Sequence, residues 1–204
     1  MFTLNKPWPK LMSIINEEFY EKTVFEKENF SGEKIIEVSF EDCIFNNCDF
    51  QKTILTDCLF SNCEFKTCNL SLTSFKQSRI QGVKFIDSKL MGINFREVNR
   101  MITKFRFKNC LVSDCNFSDM EIKSTEFTGS RVENCDFFQT NLTSADFTET
   151  ILKGSIFEKT NLTKADFTYA QEYRINPASN KLKDAKFTMP EALSFFDYFG
   201  IKIE

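Results

Sequence analysis

The sequence predicts an all-β solenoid, a chain wound into four-sided coils of twenty residues each. Three observations favour this fold. A large apolar residue recurs at every fifth position from Phe25 to Phe95, fifteen positions without a miss. The same period returns over thirteen positions from Phe107 to Phe167, displaced by two residues. Finally, TNLTSADFT at 140–148 is repeated as TNLTKADFT at 160–168, twenty residues later.

A period of five suits neither standard secondary structure, since an α-helix repeats every 3.6 residues and a strand every 2. A chain that turns a corner every five residues, however, directs each apolar residue at a common axis. Four such corners close one coil. From residue 107 onward the central residues also alternate between Phe and aliphatic side chains. Two opposite sides would then carry Phe and the other two aliphatic groups, which fills a narrow core without voids.

The five-residue pattern resembles the pentapeptide-repeat family, whose consensus is roughly A-(D/N)-(L/F)-x-x. ADFTE at 145–149 and ADFTY at 165–169 stand close to that consensus. The resemblance covers about residues 23–170. It implies a right-handed quadrilateral β-helix of about seven coils, stacked ~4.8 Å apart by backbone pairing.

Two further stretches are similar to the Qnr-type quinolone-resistance group of that family. They are the tail at 176–203 and the interrupted stretch NFREVNRM at 94–101. Members of this group dimerise through such a tail and bind type II topoisomerases, so the resemblance implies both properties here. Qnr-type proteins also carry longer loops that project from the coils. The break in this sequence inserts only two residues, so we expect no such loop.

The eight cysteines share one position, two residues before a central residue, where the chain otherwise often places Ser, Thr or Ala. They are Cys43, Cys48, Cys58, Cys63, Cys68, Cys110, Cys115 and Cys135. This confinement predicts small side chains packed in the core, with no metal site, because zinc sites favour C-x2-C pairs and none occurs. Cys43/Cys63 and Cys48/Cys68 are one coil apart, so disulfides within these pairs stay an alternative.

The composition argues against an enzyme. The 204 residues include no His and only six Gly and four Pro. Without His, the Ser-His-Asp, Cys-His and zincin chemistries are excluded, and no glycine-rich phosphate loop is present. We expect no cofactor. No apolar run approaches ~18 residues and no signal-peptide pattern opens the chain, which predicts a soluble cytoplasmic protein that does not associate with membranes.

Both ends of a solenoid need caps, so we expect three regions. These are an N-terminal cap at 1–22, the β-helix at 23–170 with a register break at about 96–106, and a C-terminal cap and dimerisation helix at 171–204. Thr188 and Glu191 at capping-box spacing, with Pro190 between them, predict the start of that helix.

The apolar residues of the C-terminal helix spread over more than one side, which suggests two partners. One would be the last coil and the other the same helix of a second subunit, giving a homodimer. The alternative is a helix half-buried on its own coil. The candidate dimer-interface residues are Leu193, Phe195, Phe196, Phe199 and Ile201.

Charge is banded along the chain, although the net charge is only −3. Glu126, Asp146 and Asp166 are twenty residues apart, so they should stack on one outer side. Such a column would either imitate a run of phosphates or be the solvated D/N position of the repeat.

A positive belt covers residues 76–106. Four of its cations fall on the segment that leaves the repeat, where a binding site is most easily added: Arg96, Arg100, Lys104 and Arg106.

The sequence therefore predicts a non-enzymatic protein-interaction module. One hypothesis, implied by the resemblance, is binding to DNA gyrase or topoisomerase IV as a partial DNA mimic. The other is a general protein-binding scaffold without a topoisomerase role. The net charge of −3 argues against direct binding of nucleic acid through the belt as the function, because it gives no overall attraction to phosphates.

Overall fold

The computed structural model describes residues 2–3, 19–99 and 105–202, and it confirms the predicted β-solenoid. About eight coils stack on one another. Strands of successive coils pair in parallel, and the paired residues lie twenty apart, as with Phe25 and Phe45 or Phe45 and Phe65. Each central residue points inward and the residues beside it point outward, which follows from the alternation of side chains along a strand.

The strands are two to four residues long because a corner follows each of them. They are β1 (Phe2–Thr3), β2 (Phe19–Glu21), β3 (Thr23–Glu26), β4 (Lys34–Ile36), β5 (Ser39–Glu41), β6 (Ile44–Asn46), β7 (Ile54–Thr56), β8 (Leu59–Ser61), β9 (Glu64–Lys66), β10 (Arg79–Gln81), β11 (Val83–Ile86), β12 (Lys89–Met91), β13 (Phe105–Lys108), β14 (Leu111–Ser113), β15 (Arg131–Glu133), β16 (Asp166–Phe167) and β17 (Lys186–Phe187). Two 3₁₀ turns, Phe95–Glu97 and Glu191–Leu193, and one α-helix, α1 (Ser194–Asp197), complete the described elements.

We name the four sides A to D in chain order, beginning with the side that contains Phe25. Side A carries a Phe at the centre of each coil from Phe25 to Phe187. These rings stack with centroids 4.7 to 5.2 Å apart: Phe25, Phe45, Phe65, Phe85, Phe107, Phe127, Phe147, Phe167 and Phe187. From residue 107 onward, side C carries the second column of Phe, and sides B and D carry the aliphatic residues. The rings of the two Phe columns meet edge to face, as in Phe117 and Phe127 at 6.0 Å and 89°. The predicted alternation is thereby confirmed.

The register break is a two-residue insertion, as predicted. The Asn99 N–H donates to the Ser78 carbonyl with the spacing found throughout the first run. Phe105 already pairs with Val83, twenty-two residues before it. The two additional residues therefore enter between 99 and 105, a stretch outside the described residues. The core continues across the break, because Phe85 and Phe107 stack at 5.2 Å.

The corners of the coil use left-handed backbone. The residue two positions after a central residue has a positive φ almost throughout, as in Asn47 (+53°) and Asn62 (+52°). This conformation costs most side chains free energy, and Asn, Asp and Gly tolerate it best. It recurs here because the same corner is needed in every coil.

The coil pattern continues beyond residue 170 after an irregular stretch. Phe157 bridges to Ile175, and β17 then pairs with β16 in the usual register. At the other end, β1 pairs with β3 and so extends the side A sheet toward the N-terminus. The rest of the predicted N-terminal cap, residues 4–18, lies outside the described residues.

The predicted C-terminal helix forms, but the predicted capping box is wrong. The 3₁₀ turn that opens it begins after Pro190, which has no side-chain capping bond. The Thr188 hydroxyl instead accepts a hydrogen bond from the Tyr169 N–H at 2.9 Å. The hydroxyl is used to attach the tail to the coil below, since the edge of the last coil leaves such backbone groups without strand partners.

Candidate functional site

Seven charged residues form one outer column on side A, which we call the side A column. Each lies immediately before the central Phe of its coil. Successive members pair directly in the strand register: Glu64, Lys84, Arg106, Glu126, Asp146, Asp166 and Lys186. The three predicted carboxylates, Glu126, Asp146 and Asp166, are therefore consecutive members, as their twenty-residue spacing indicates.

Cations stand at both ends of this run of carboxylates. Arg106 Nε lies 3.1 Å from Glu126 Oε1, and Lys186 Nζ lies 2.9 Å from Asp166 Oδ2. Burial raises the pKa of Asp166, but hydrogen bonds from Thr168 and Lys186 outweigh it, and the pKa lies below its ordinary value. Adjacent like charges in a column repel. The neighbouring cations relieve that repulsion, although exposed pairs of this kind stabilise the fold only slightly.

Asp146 is the carboxylate at the centre of the column. It accepts hydrogen bonds from the Thr128 hydroxyl at 3.1 Å and from the Thr148 N–H at 2.8 Å. Within the described residues it makes no ion pair. The column therefore presents one negative charge without a cationic neighbour in contact, rather than the three that the sequence suggests.

The positive belt does not form one surface in the described part of the chain. Arg96 follows Phe95 on side C, and Arg106 precedes Phe107 on the opposite side A. Arg96 Nη2 lies 2.9 Å from Asp119 Oδ2, and Arg106 is held by Glu126. Arg100 and Lys104, the two other predicted members, lie outside the described residues. The structure thus does not bring Arg96 and Arg106 together, and it links Arg106 to the acidic column instead.

The position two residues before each central residue has a second role that the sequence reasoning missed. Its side chain donates a hydrogen bond to the carbonyl of a central residue one coil below. The Thr73 hydroxyl donates to the Phe50 carbonyl at 2.8 Å, and the Cys63 thiol donates to the Phe40 carbonyl at 3.3 Å. A small side chain with a donor is therefore favoured there. The common presence of Ser and Thr in the same position was the available signal.

The eight cysteines are free and buried, in agreement with the packing prediction and not with the disulfide alternative. Burial raises the pKa of the Cys110 thiol to about 12. The hydrogen bond with the Cys43 thiol, together with burial, raises the pKa of Cys63. The raised pKa keeps Cys63 and Cys110 protonated at neutral pH, and a protonated thiol is a poor nucleophile and a poor metal ligand. No cluster of metal-ligating side chains is found in the described part of the chain.

The C-terminal segment packs through one aromatic residue. Phe195 contacts Phe187 edge to face at 4.7 Å and Tyr173 at 6.0 Å. Phe199 and Ile201, also predicted at the dimer interface, are 60% and 50% exposed. Phe196 is exposed as well, whereas Leu193 is half-buried.

Further exposed apolar residues were missed by the sequence reasoning. Tyr169 and Met189 stand at 65% and 67% exposure beside the C-terminal segment, and Leu72 is 53% exposed on the first run. The available signal was an apolar residue in an outward corner position that the repeat usually gives to a polar one. Among the helices in the described part of the chain, none has the length and apolar character needed to cross a membrane.

These features define the class: a four-sided β-solenoid of five-residue repeats whose outer sides carry the available charges and apolar groups. The chain belongs to the pentapeptide-repeat family. A model of the pentapeptide repeat region matches residues 34–106 and 60–137, and a model of eight-copy pentapeptide repeats matches 140–171. No curated protein matches the sequence significantly.

Among solved structures, QnrB1, a plasmid-mediated fluoroquinolone resistance protein, is similar along almost its whole length. The full-length QnrB1 structure has a TM-score of 0.70 at 18% identity, covering 90% of this chain and 97% of that one. A trypsin-treated form has a TM-score of 0.68 at 18% identity, covering 92% and 99%. At this identity the likeness is one of fold.

Proposed function

We propose that this protein is a non-enzymatic interaction module of the cytoplasm that binds a type II topoisomerase, either DNA gyrase or topoisomerase IV. The observation that carries the proposal is the similarity in fold to QnrB1, a plasmid-mediated fluoroquinolone resistance protein. This similarity covers 97% of the QnrB1 chain. The Qnr-type group, which the tail and the mid-chain break resemble, binds such enzymes.

The side A column supplies a route for competition with DNA. A topoisomerase surface that holds phosphates is rich in Lys and Arg. Asp146 would face such a surface directly, and Glu126 and Asp166 would share their charge between their own cations and those of the partner. Because part of the column is already neutralised, the mimicry of DNA is partial.

The second candidate is a protein-binding scaffold with no topoisomerase role. The ion pairs at Glu126 and Asp166 favour it, since they lower the net charge that a DNA mimic would display. Direct binding of nucleic acid is not proposed, because Arg96 and Arg106 lie on opposite sides and are each paired with a carboxylate.

A supercoiling assay tests the proposal. Purified protein is titrated into DNA gyrase with and without a quinolone, and supercoiled product is measured. At micromolar concentration, we expect the protein either to inhibit supercoiling when no quinolone is present or to protect the enzyme when the quinolone is present. The Asp146→Asn variant should weaken the effect, because it keeps the acceptor for Thr148 but removes the charge. Asp136→Asn, the same change on side C, is the matched control. No effect of the wild-type protein on gyrase or topoisomerase IV would leave the scaffold function.

We also propose a homodimer formed through the C-terminal segment, with Leu193, Phe195, Phe196, Phe199 and Ile201 at its interface. The exposed rings support this proposal, because contiguous exposed apolar groups typically mark an interaction surface. The Phe199→Glu variant should be monomeric in light scattering while the wild type is a dimer. Thr163→Glu, a similar charge on side D, should leave the dimer intact. A monomeric wild type would mean that the segment serves only as a cap.

A further inference from the structure

Leu72 and Ile54 form an exposed apolar surface on the first run of repeats, which we call the apolar knob. Leu72 stands at the corner between sides B and C, and Ile54 bridges to Ser74, two residues after Leu72. The two side chains are 53% and 38% exposed. They therefore meet solvent at neighbouring positions of successive coils.

Leu72 has a left-handed backbone with φ of +60°. It is the only aliphatic residue among the non-glycine left-handed residues in the described part of the chain. Leucine has no local hydrogen bond to offset the steric cost of this conformation, whereas Asn and Asp have one. An exposed leucine at this corner is thus an unfavourable choice for the fold alone.

Three other corners also have a glycine one coil above, and they show which residue faces that glycine. At Gly82 and Gly129, the left-handed residue one coil below is Asn, whose Oδ1 lies against the glycine. A methyl group on these glycines would stand 2.6 Å and 2.7 Å from that oxygen. Gly154 has Asn134 below it in the same way. The fold therefore repeatedly pairs Asn with a glycine one coil above.

Leu72 replaces Asn in the fourth such pair. Its Cδ2 would stand 2.7 Å from a methyl group on Gly92, so the glycine makes room for the leucine. Most of the remaining leucine surface faces solvent. A residue with an unfavourable backbone conformation and an exposed side chain does not stabilise the fold, which indicates a functional role such as binding.

Three lysines surround the knob. Lys34 pairs with Ile54 in the strand register, and Lys52 occupies the corner one coil below Leu72. Lys76 lies two residues after Ser74, on the same outer side of the coil. All three are exposed. Within the described residues, none of them has an ion-pair partner. One carboxylate also reaches this surface, since Glu97 Oε2 accepts a hydrogen bond from the Ser74 hydroxyl at 3.1 Å. The three lysines outnumber it, so the net charge around the knob is positive and favours a partner surface that carries carboxylates.

We propose that the apolar knob inserts into an apolar pocket bordered by Asp or Glu on a protein partner. The proposal rests on the proposed function for the identity of that partner, a type II topoisomerase. The lysines would be repelled by its basic DNA-binding surface. The knob therefore contacts a different part of the enzyme from the part that faces the side A column, and it provides a second point of attachment.

Leu72→Asn is the decisive variant, because it restores the Asn–glycine pair of the other corners and removes the apolar group. We expect its melting temperature to equal or exceed that of the wild type. Its dissociation constant for purified DNA gyrase, measured by calorimetry without DNA, should rise roughly tenfold or more, as for a central interface residue. Leu72→Met, which keeps an apolar side chain, should bind nearly as the wild type does.

Each outcome decides the proposal. Equal binding by wild type and Leu72→Asn overturns the knob and leaves the proposed function standing. A melting temperature several degrees lower for Leu72→Asn would show that the leucine is a packing residue, which also overturns it. If the wild-type protein fails to bind gyrase or topoisomerase IV, the proposed function fails, and the assignment of the knob to that partner fails with it.

Discussion

At the scale of single residues, the inward position two before each central residue does two tasks. Its small side chain fills the space beside the large central groups, and its hydroxyl or thiol donates to a carbonyl one coil below. The Thr140 hydroxyl reaches the Phe117 carbonyl at 2.8 Å, and Thr160 reaches Phe137 at 2.7 Å. A hydrogen bond of this kind contributes about 0.5–1.5 kcal/mol net, so the repeated donor has a measurable effect on stability.

Thr73→Val isolates the contribution of one donor. The change keeps the size and branching of the side chain but removes the hydroxyl that donates to the Phe50 carbonyl. The Phe50 carbonyl also accepts the Thr53 N–H at 3.0 Å, so the change removes one of its two hydrogen bonds. We expect the free energy of unfolding, measured by urea titration, to fall by about 0.5–1.5 kcal/mol. Thr73→Ser keeps the donor and should lose less. Equal stability of Val and wild type would show that the hydroxyl only fills space.

The central residues and the cysteines could be predicted from the sequence because each obeys a fixed spacing. A period of five places Phe45 and Cys43 without knowledge of any partner. The state of the charges could not be predicted in the same way. Arg106 and Glu126 are twenty residues apart, so the spacing places them side by side, but it does not show that the guanidinium turns to that carboxylate, 3.1 Å away, instead of to solvent. Spacing within a run predicts the column, whereas the ion pair of Arg96 with Asp119 depends on the register across the break.

At the scale of elements, the junction between the last coil and the C-terminal helix buries a polar group that has no hydrogen bond among the described residues. The Tyr173 ring is buried against Phe167 and Phe195, and its hydroxyl has no hydrogen-bond partner among the described residues. Burial, with a smaller contribution from Glu191, raises the pKa of Tyr173 to about 12. The ring stabilises the junction, while the hydroxyl has lost water without gaining a partner.

Tyr173→Phe should therefore stabilise the protein. Removing the unpaired hydroxyl and keeping the ring should raise the free energy of unfolding by about 1 kcal/mol. Thermal unfolding followed by circular dichroism measures the change. Tyr173→Leu is the control, since it removes the ring contacts and should destabilise. A lower melting temperature for Tyr173→Phe than for the wild type would contradict this prediction and indicate that the hydroxyl is hydrogen-bonded in solution.

At the scale of the whole molecule, the stacked Phe of side A make the two runs one structural unit. In a solenoid each coil contacts mainly its neighbours, so the weakest junction sets how far unfolding spreads. The register break is the natural candidate for that junction. However, Phe85 and Phe107 stack across it at 5.2 Å, the same separation as Phe65 and Phe85 within the first run. Phe105 is also fully buried there, against Phe95 at 5.1 Å.

The cysteines test this continuity because five lie before the break and three after it. All eight thiols are buried, so a thiol reagent at pH 8 reaches them only after the coil opens. Burial also raises the pKa of Cys58 and Cys110. We expect labelling followed by mass spectrometry to be about a thousandfold or more slower than in denaturant, with one common rate for both groups. If residues 43–68 and 110–135 label at rates that differ severalfold, the halves open separately. The break would then separate two units that unfold independently, and the stacked side A rings would not make the two runs one cooperative structure.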